Sequence, residues 1–188
     1  VLNTLVSDRE MPLALKTAKT LASAGVDAFI VQDLGLADEL MKRTDVELHA
    51  STQLCVHSSD GVAFLADIGF RRVVLARELS LDQIRSIAGQ TSAILEFFVH
   101  GALCVSYSGL CNISHAQTGR SANRGDCSQA CRLPYSLSDN SGQVIAENKH
   151  LLSMKDNNQS DNLAALIEAG ISSFKIEGRL KDLSYVKN

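Results

Sequence analysis

The chain has 188 residues, of which 45% are hydrophobic and 21% charged, and its formal net charge is -3. These values are typical of a globular domain that is long enough to bury a core. The small negative charge excludes a global basic field for nucleic acid, so a polyanion would have to bind a local patch or another domain. No apolar run approaches the roughly 18 residues of a membrane span. Without a signal peptide, we expect a cytoplasmic protein that does not enter a membrane.

Short, nearly continuous apolar runs predict buried strands that begin near residues 1, 26, 46, 71, 94 and 172. The first five starts are about one strand-and-helix unit apart, which favours parallel strands with helical crossovers. Because no Gly-x-Gly-x-x-Gly turn is present, we predict an α/β fold of the parallel (β/α) TIM-like barrel type over residues 1–188. Since the chain opens and closes on strand-like runs, we expect a piece of a longer protein that lacks about two strands of a complete barrel. An open doubly wound sheet is the alternative.

A gapless internal repeat supports the alternation of helices and strands. The repeated segments are residues 23–31, 67–75 and 168–176. In each, an apolar-periodic helix ends at a glycine that is followed by a short turn and a β-rich run. These glycines, at positions where a helix end favours positive φ, are Gly25, Gly69 and Gly170. The predicted helices cover residues 11–24, 81–88 and 162–169, and Ser80 is the expected cap of the second.

One long stretch interrupts the repeat, because about 60 residues separate the strand ending near Val99 from the helix near Asn162. We interpret residues 104–150 as a cysteine-rich insertion with a hairpin over residues 135–146 that turns at residues 139–142. So long a connection after a barrel strand is usually functional, since these loops lie on the catalytic face.

Four of the five cysteines lie in this insertion with the spacing C-x6-C-x15-C-x3-C. They are Cys104, Cys111, Cys127 and Cys131. Four thiols so close together in a cytosolic protein indicate a metal. Zinc sites usually pair cysteines as C-x2-4-C, which only the second pair satisfies, whereas iron–sulfur clusters accept more varied spacings. We therefore favour a cluster, with zinc or no metal as alternatives, and we expect the isolated Cys55 to be a buried small hydrophobe.

The insertion is also locally basic. Residues 119–132 contain Arg120, Arg124 and Arg132 but only one acidic residue, Asp126. They are candidates for holding phosphate or carboxylate, and equally for balancing the charge of a thiolate cluster. His100 and His115 flank the cysteines, and we interpret both as hydrogen-bonded structural histidines.

Polar side chains end several predicted strands and would meet at the mouth of the barrel. Because burying them is costly unless they contact each other or a ligand, we expect a pocket for an anionic small molecule. The candidate catalytic residues are His49, Glu78 and Glu177, and the candidate substrate-binding residues are Gln53, Arg77, Lys175 and Arg179. For Glu96, an internal ion pair is the alternative to catalysis. The hydrolase motifs GxSxG and HExxH and a P-loop are absent from the sequence.

Several long runs resemble the collagenase-like peptidase family U32. The longest are EFFVHGALC at 96–104, YSGLCNIS at 107–114, NRGDCSQACRLPY at 123–135 and FKIEGRLK at 174–181. Shorter ones are HASTQ at 49–53, VVLARELSL at 73–81 and LLSMKD at 151–156, where Met154 replaces the proline of many relatives. The resemblance covers nearly the whole chain.

This resemblance implies two activities that conflict. The family name implies a metal-dependent peptidase acting on collagen, whereas better-defined members are RNA hydroxylases that depend on prephenate, and other relatives bind a 4Fe-4S cluster through four cysteines. The run at 123–131 is most similar to members that hydroxylate a cytidine of 23S ribosomal RNA. By resemblance, the four cysteines of the insertion bind the cluster, and RNA-binding domains follow in the full-length chain.

We favour the hydroxylase, because the sequence offers ligands for a cluster and no recognisable proteolytic apparatus. Arg120 and Arg124 are then candidates for contacts with RNA phosphates. The alternatives are the peptidase, with zinc on the thiols and Glu96 as the base, and a non-catalytic cluster carrier.

Overall fold

Helices and strands alternate through most of the chain in the computed structural model, which describes residues 1–178 and 181–187. The predicted substrate-binding residue Arg179 therefore lies outside the described residues. The helices are α1 (Met11–Ser23), α2 (Leu34–Arg43), α3 (Ser59–Asp67), α4 (Leu81–Ala88), α5 (Ile113–Thr118), α6 (Leu163–Glu168) and α7 (Leu183–Lys187). The strands are β1 (Ala28–Val31), β2 (Glu47–Ala50), β3 (Arg72–Val74), β4 (Ile94–Gly101), β5 (Tyr135–Ser138), β6 (Val144–Lys149), β7 (Asn157–Asn158) and β8 (Ser173–Glu177).

Five parallel strands form a curled sheet in the order β1-β2-β3-β4-β8, which is half of a barrel. Each strand pairs in parallel with the next one of this order. Because the order never reverses, the sheet is wound as in a barrel and has no switch point of the doubly wound kind. The predicted α/β class and barrel-like parallel sheet are thus confirmed.

The strand predicted near residue 1 is wrong, because a single parallel bridge from Leu2 to Val31 replaces it. The bridge lies beside β1, where the prediction put the strand, but the chain then leaves the sheet. The backbone N–H of Leu5 donates to the carbonyl of Asn123 at 3.4 Å, and that of Val6 donates to the carboxylate of Asp33 at 3.0 Å. These two N–H groups are therefore not available for hydrogen bonds to β1.

The hydrophobic core lies between the outer face of the sheet and the helices. Alternate strand residues point to this face because side chains alternate along a strand. The strand residues of the core are Phe29, Val31, Leu48, Ala50, Val73, Leu95, Phe97 and Val99. They pack with one apolar face of the surrounding helices, which includes Leu36, Leu40, Val62, Leu65, Ile84 and Ile87. The other strand residues, several of them charged, are left on the inner face of the half-barrel.

The local signals at helix ends are confirmed. Ser80 caps α4 in a capping box, in which its hydroxyl accepts from the N–H of Gln83 and the Gln83 side chain accepts from the N–H of Ser80. The glycines of the repeat all have positive φ, at 83° for Gly25, 112° for Gly69 and 99° for Gly170.

Residues 102–156 contribute no strand to the main sheet. They form short 3-10 turns, α5 and the antiparallel pair β5 and β6, which lies where the sequence predicts a hairpin. At its turn, the Asp139 carboxylate accepts from the N–H groups of Ser141 and Gln143. Downstream, β7 pairs antiparallel with the end of β4 and was not predicted.

None of the helices in the described part of the chain has the length and apolar character needed to cross a membrane.

Gly170 and Gly25 offer a matched test of helix packing. Both have positive φ, so alanine at either position costs about 1 kcal/mol of backbone strain. A Cβ at Gly170 would lie 2.4 Å from the Cβ of Ala88, whereas one at Gly25 would meet nothing within 4 Å. We expect Gly170→Ala to lower the free energy of unfolding by about 1 to 3 kcal/mol more than Gly25→Ala. Chemical denaturation measures this, and equal losses would contradict tight packing of α4 on Gly170.

Candidate functional site

The four cysteines predicted as ligands lie near one another, and none forms a disulfide. Burial raises the pKa of the Cys131 thiol, the charge of Arg132 opposes this, and the thiols of Cys104, Cys127 and Cys111 raise the pKa further. Hydrogen bonds also join the segments that carry the cysteines. Arg132, next to Cys131, donates to the carbonyl of Leu103, next to Cys104, and the N–H of Ser128, next to Cys127, donates to the hydroxyl of Ser114.

Cys111 is the most buried of the four cysteines, with 9% of its surface exposed. Its sulfur accepts hydrogen bonds from the hydroxyls of Ser106 and Ser114 and from the N–H groups of Ile113 and Ser114. Burial acts to raise the pKa of Cys111, but these donors outweigh it and hold the pKa below its ordinary value. The surroundings therefore favour the thiolate, which is the form that binds metal.

Asn123 ties the backbone of Cys111 to the sheet. Its side-chain oxygen accepts from the N–H of Cys111 at 3.1 Å, and its Nδ2 donates to the Cys111 carbonyl at 3.2 Å. Gln32, just after β1, donates in turn to the carbonyl of Asn123 at 2.7 Å. Sequence reasoning missed Asn123, although its place in the run at 123–131 was a signal that could have identified it.

Arg132 links the chain on both sides of the cysteine-rich segment. One guanidinium nitrogen donates to the hydroxyl of Ser153 at 2.8 Å and to the carbonyl of Met154 at 3.0 Å. The other donates to the carbonyl of Leu103 at 2.6 Å, directly before Cys104. The guanidinium thus donates to acceptors of this chain that lie near the cysteines in sequence or in space.

The other two arginines of the insertion make ion pairs within the chain. Arg120 donates to Asp126 at 2.8 Å and to the carbonyl of Cys127 at 3.1 Å. Arg124 donates to the carbonyl of Leu5 at 3.2 Å and is paired with Glu10. Their side chains are 49% and 42% exposed, so both keep surface from which to contact a polyanion.

The cysteines do not converge on one point. Within residues 1–178 and 181–187, no three His, Cys, Asp or Glu side chains are arranged to hold a metal ion. A zinc ion needs four ligand atoms at about 2.3 Å from one centre. In a 4Fe-4S cluster each thiolate binds a different iron, so the sulfurs stand further apart.

Glu96 is the centre of an ion-pair network on the inner face of the half-barrel. Its carboxylate accepts from Arg72 at 3.1 Å and from the Ser173 hydroxyl at 2.8 Å, and the Nζ of Lys175 lies 3.6 Å away. Burial acts to raise the pKa of Glu96, but these hydrogen bonds and charges outweigh it and hold the pKa below its ordinary value. The ion-pair alternative is therefore the one that the structure supports.

Sequence reasoning missed Arg72 and Ser173 in this network. A charged residue within the apolar run of β3 was the available signal for Arg72, because alternation puts it on the face opposite Val73. Its partner Glu96 is 24 residues away, and the spacing along the chain does not identify it.

The remaining strand-end candidates lie on or near this inner face. The Nε2 of His49 lies 2.8 Å from a carboxylate oxygen of Glu47, and His49 is 9% exposed. Lys175 also lies over the ring of Phe98, 5.5 Å from its centroid. Glu177 is half-buried at the end of β8, in register with Gly101.

A cavity of about 180 Å³ opens beyond the ends of β3 and β4. Its lining residues are Arg77, Glu78, Leu103, Cys104, Val105, Ser106, Tyr107 and Met154. Here the structure brings together two predicted strand-end residues, Arg77 and Glu78, with the first cysteine. His49, Lys175 and Glu177 do not line it.

Arg77 and Glu78 have different surroundings in this cavity. Arg77 donates to the carbonyl of Ser106 at 3.2 Å and lies over the ring of Phe98. Both oxygens of Glu78 accept from Ser108, at 2.6 Å from its N–H and 2.5 Å from its hydroxyl. Burial acts to raise the pKa of Glu78, but the donors of Ser108 and the charge of Arg77 outweigh it and lower the pKa.

Cys55 and Gln53 belong to a short turn after β2. The expectation that Cys55 is a buried hydrophobe is wrong, because it is partly exposed and its thiol donates to the carbonyl of Tyr107 at 3.7 Å. Burial, followed by the charge of Glu78, raises the pKa of this thiol. Gln53 accepts from the Asn3 side chain at 2.7 Å.

The two histidines near the cysteines have different surroundings. The His100 ring packs against Tyr185 with 5.8 Å between centroids. His115 is exposed in α5.

The sequence profile of peptidase family U32 matches residues 1–188. A 23S rRNA 5-hydroxycytidine C2501 synthase of Escherichia coli is 60% identical over 187 residues, which cover all of this chain and 28% of that protein. The tRNA hydroxylation protein P1 of Bacillus subtilis is 39% identical over 89% of this chain and 42% of its own. A collagenase of Porphyromonas gingivalis is 35% identical over 98% of this chain and 47% of its own.

The chain therefore spans between about a quarter and a half of the length of these curated relatives. Among solved structures, the U32 peptidase Mk0906 is similar at 21% identity with a TM-score of 0.45, over 51% of this chain and 40% of that one.

Replacing Glu96 by glutamine tests the ion-pair network. Because the folded-state pKa is lowered, the carboxylate stabilises the fold above the ordinary pKa of glutamate, and this contribution disappears as the pH falls through the lowered pKa. We expect Glu96→Gln to cost about 2 kcal/mol at neutral pH, less than for a fully buried pair, because Arg72 and Lys175 keep some solvent contact.

The measurement is the difference in unfolding free energy between wild type and variant across pH, and this difference should shrink on acidification. Glu168→Gln, on the exposed end of α6, is the matched control and should cost little at any pH. A variant as stable as the wild type at neutral pH would contradict the network.

Proposed function

The chain belongs to peptidase family U32, and from this membership we propose that it is part of an RNA hydroxylase that modifies a cytidine of 23S ribosomal RNA. The single observation that carries the proposal is 60% identity, over the whole chain, to the 5-hydroxycytidine synthase of Escherichia coli. Relatives named for tRNA hydroxylation, at 39% and 36% identity, support the same chemistry.

The proposed cofactor is a 4Fe-4S cluster, whose ligands are Cys104, Cys111, Cys127 and Cys131. When bound, such a cluster transfers single electrons. The grouping of the thiols and the hydrogen bonds that favour the Cys111 thiolate support this assignment. Asn123 and Arg132 fix the backbone around these cysteines.

The proposed co-substrate is prephenate, which the family resemblance implies, and we assign it to the cavity beside Cys104. Arg77 is the group suited to a carboxylate, because its Nε is buried without a hydrogen-bond partner. This cavity has a volume of about 180 Å³. Glu78 lines this cavity, and His49 and Glu177 remain the other catalytic candidates.

Ribosomal RNA and further domains of the full-length chain are the proposed partners, with a cytoplasmic location. Arg120 and Arg124 keep about half of their side-chain surface exposed, as phosphate-binding residues must. Gln53, Lys175 and Arg179 stay predicted contacts for substrate.

A collagenase-like peptidase is the second candidate, because relatives in Porphyromonas gingivalis carry that name. A peptidase of the predicted kind needs Glu96 as a general base for water. Its carboxylate is instead engaged by Arg72, Ser173 and Lys175, and its lowered pKa makes it a weaker base. We therefore prefer the hydroxylase.

Iron analysis of the full-length protein, purified without oxygen, tests the cofactor. We expect about four irons and four sulfides per chain, with the brown colour of a 4Fe-4S cluster. Cys127→Ser should lower the iron content, whereas Cys55→Ser should leave it unchanged, because Cys55 lies outside the group of four. Zinc in place of iron, or equal iron in both variants, would contradict the assignment.

Mass spectrometry of 23S ribosomal RNA tests the activity. In cells that lack the endogenous gene, the full-length wild-type protein should restore 5-hydroxycytidine, and Cys127→Ser should not. Full modification with Cys127→Ser would rule out an essential cluster. Cleavage of gelatin by clean protein, lost on chelation and with Glu96→Gln, would favour the peptidase instead.

A further inference from the structure

Ser108 has a strained backbone in the middle of the segment that joins Cys104 to Cys111. Its φ and ψ are 42° and 35°, in the left-handed region that side chains other than glycine rarely adopt. It is also fully buried, with 0% of its surface exposed. Such a conformation persists only where the surrounding structure holds it.

Glu78 supplies the contacts that hold Ser108. One carboxylate oxygen accepts from the N–H of Ser108 and the other from its hydroxyl, at 2.6 and 2.5 Å. Hydrogen bonds to an ionised carboxylate are stronger than those between neutral groups. Since both oxygens are engaged in the same contact, Glu78 is poorly placed to exchange a proton with a substrate.

His57 supports the same segment from the turn after β2. Its Nδ1 lies 2.5 Å from the carbonyl of Cys55, and its ring stacks on Tyr107 with 4.9 Å between centroids at 15°. The Nε2 of His57 lies 3.7 Å from the Glu78 carboxylate, beyond hydrogen-bond distance, and is buried with no hydrogen-bond partner among the described residues. On the other side of Ser108, a Cβ at Gly109 would meet the Gln53 side chain at 3.2 Å. The turn after β2 and the segment after β3, which carries Glu78, thus hold residues 107–109 from two directions.

The position of this contact links it to the cysteines. Ser108 lies four residues after Cys104 and three before Cys111, and Arg77, next to Glu78, donates to the carbonyl of Ser106 in the same segment. The path of the chain through Ser108 therefore sets where the first two thiols lie relative to each other.

We infer that Glu78 is a positioning residue, assisted by His57, which holds the segment between Cys104 and Cys111 in the geometry that binds the cluster. This assignment rests on the proposed function and replaces the catalytic role that the sequence predicts for Glu78. It concerns the retention of the cluster rather than a chemical step.

Cluster retention is the first test. In the full-length protein purified without oxygen, Glu78→Ala should lose iron to a chelator about tenfold faster than wild type, as is typical when a group supporting a metal ligand is removed. Glu78→Gln keeps one acceptor oxygen, so its rate of iron loss should lie between those of wild type and Glu78→Ala. Glu168→Gln, the same chemical change on exposed α6, should match wild type. Unchanged loss of iron in both Glu78 variants would overturn the inference.

A second substitution separates positioning from catalysis. Glycine adopts the backbone angles of Ser108 without strain, so Ser108→Gly in the Glu78→Ala background should restore both iron retention and RNA hydroxylation. Recovery of iron without hydroxylation would keep the positioning role but contradict the claim that it replaces a catalytic role of Glu78. Failure of the double variant to recover iron would contradict the positioning role.

Alkylation of the metal-free protein distinguishes this inference from the proposed function. Cys111 is buried in the wild type, so it should react slowly, and Glu78→Ala should increase its rate as measured by mass spectrometry. A wild type without iron, together with faster Cys111 alkylation in the variant, would end the cluster proposal but keep the positioning role. An unchanged rate would count against the positioning role itself.

Discussion

The cysteine-bearing segment depends on hydrogen bonds that reach it from the sheet. Within residues 102–156 the buried residues are Ser108, Cys111, Ser114 and Ala130, none of which is a large apolar side chain. Burial of apolar surface therefore contributes little to holding this segment, although it is the main force that holds the helices on the sheet. Its place is set instead by polar contacts from Gln32 to Asn123 and from Glu78 to Ser108, and by those of Arg132.

In the half-barrel, the residues that stabilise the fold lie apart from the residues of the candidate site. The outer face of the sheet carries the apolar residues, and the inner face carries charged ones that neutralise each other around Glu96. Beyond the strand ends lie Arg77, the cavity and the thiols. The edge formed by the carboxyl ends of parallel strands is where barrels place their ligands. The family name and the names of the relatives disagree on activity.

Much of the local structure was predictable because its signals are local. A glycine after an apolar-periodic helix marks the helix end at Gly25, Gly69 and Gly170, and Ser80 with Gln83 encodes a cap. The sequential order of the parallel strands followed from their regular spacing. The prediction of a first strand was wrong because two groups distant in sequence, Asp33 and Asn123, accept from the N–H groups of Val6 and Leu5 that would have extended the strand.

The sequence by itself determined the alternation of strands and helices, the sets of apolar and polar residues, and the four thiols available as ligands. Only the tertiary structure decided which polar groups meet. Arg72 and Glu96 are 24 residues apart, Glu78 and Ser108 are 30 apart, and Gln32 and Asn123 are 91 apart. Such pairs depend on the register between neighbouring strands and on the path by which a long connection returns to the sheet. Neither is encoded in the spacing of residues along the chain, because both arise from packing between elements distant in sequence.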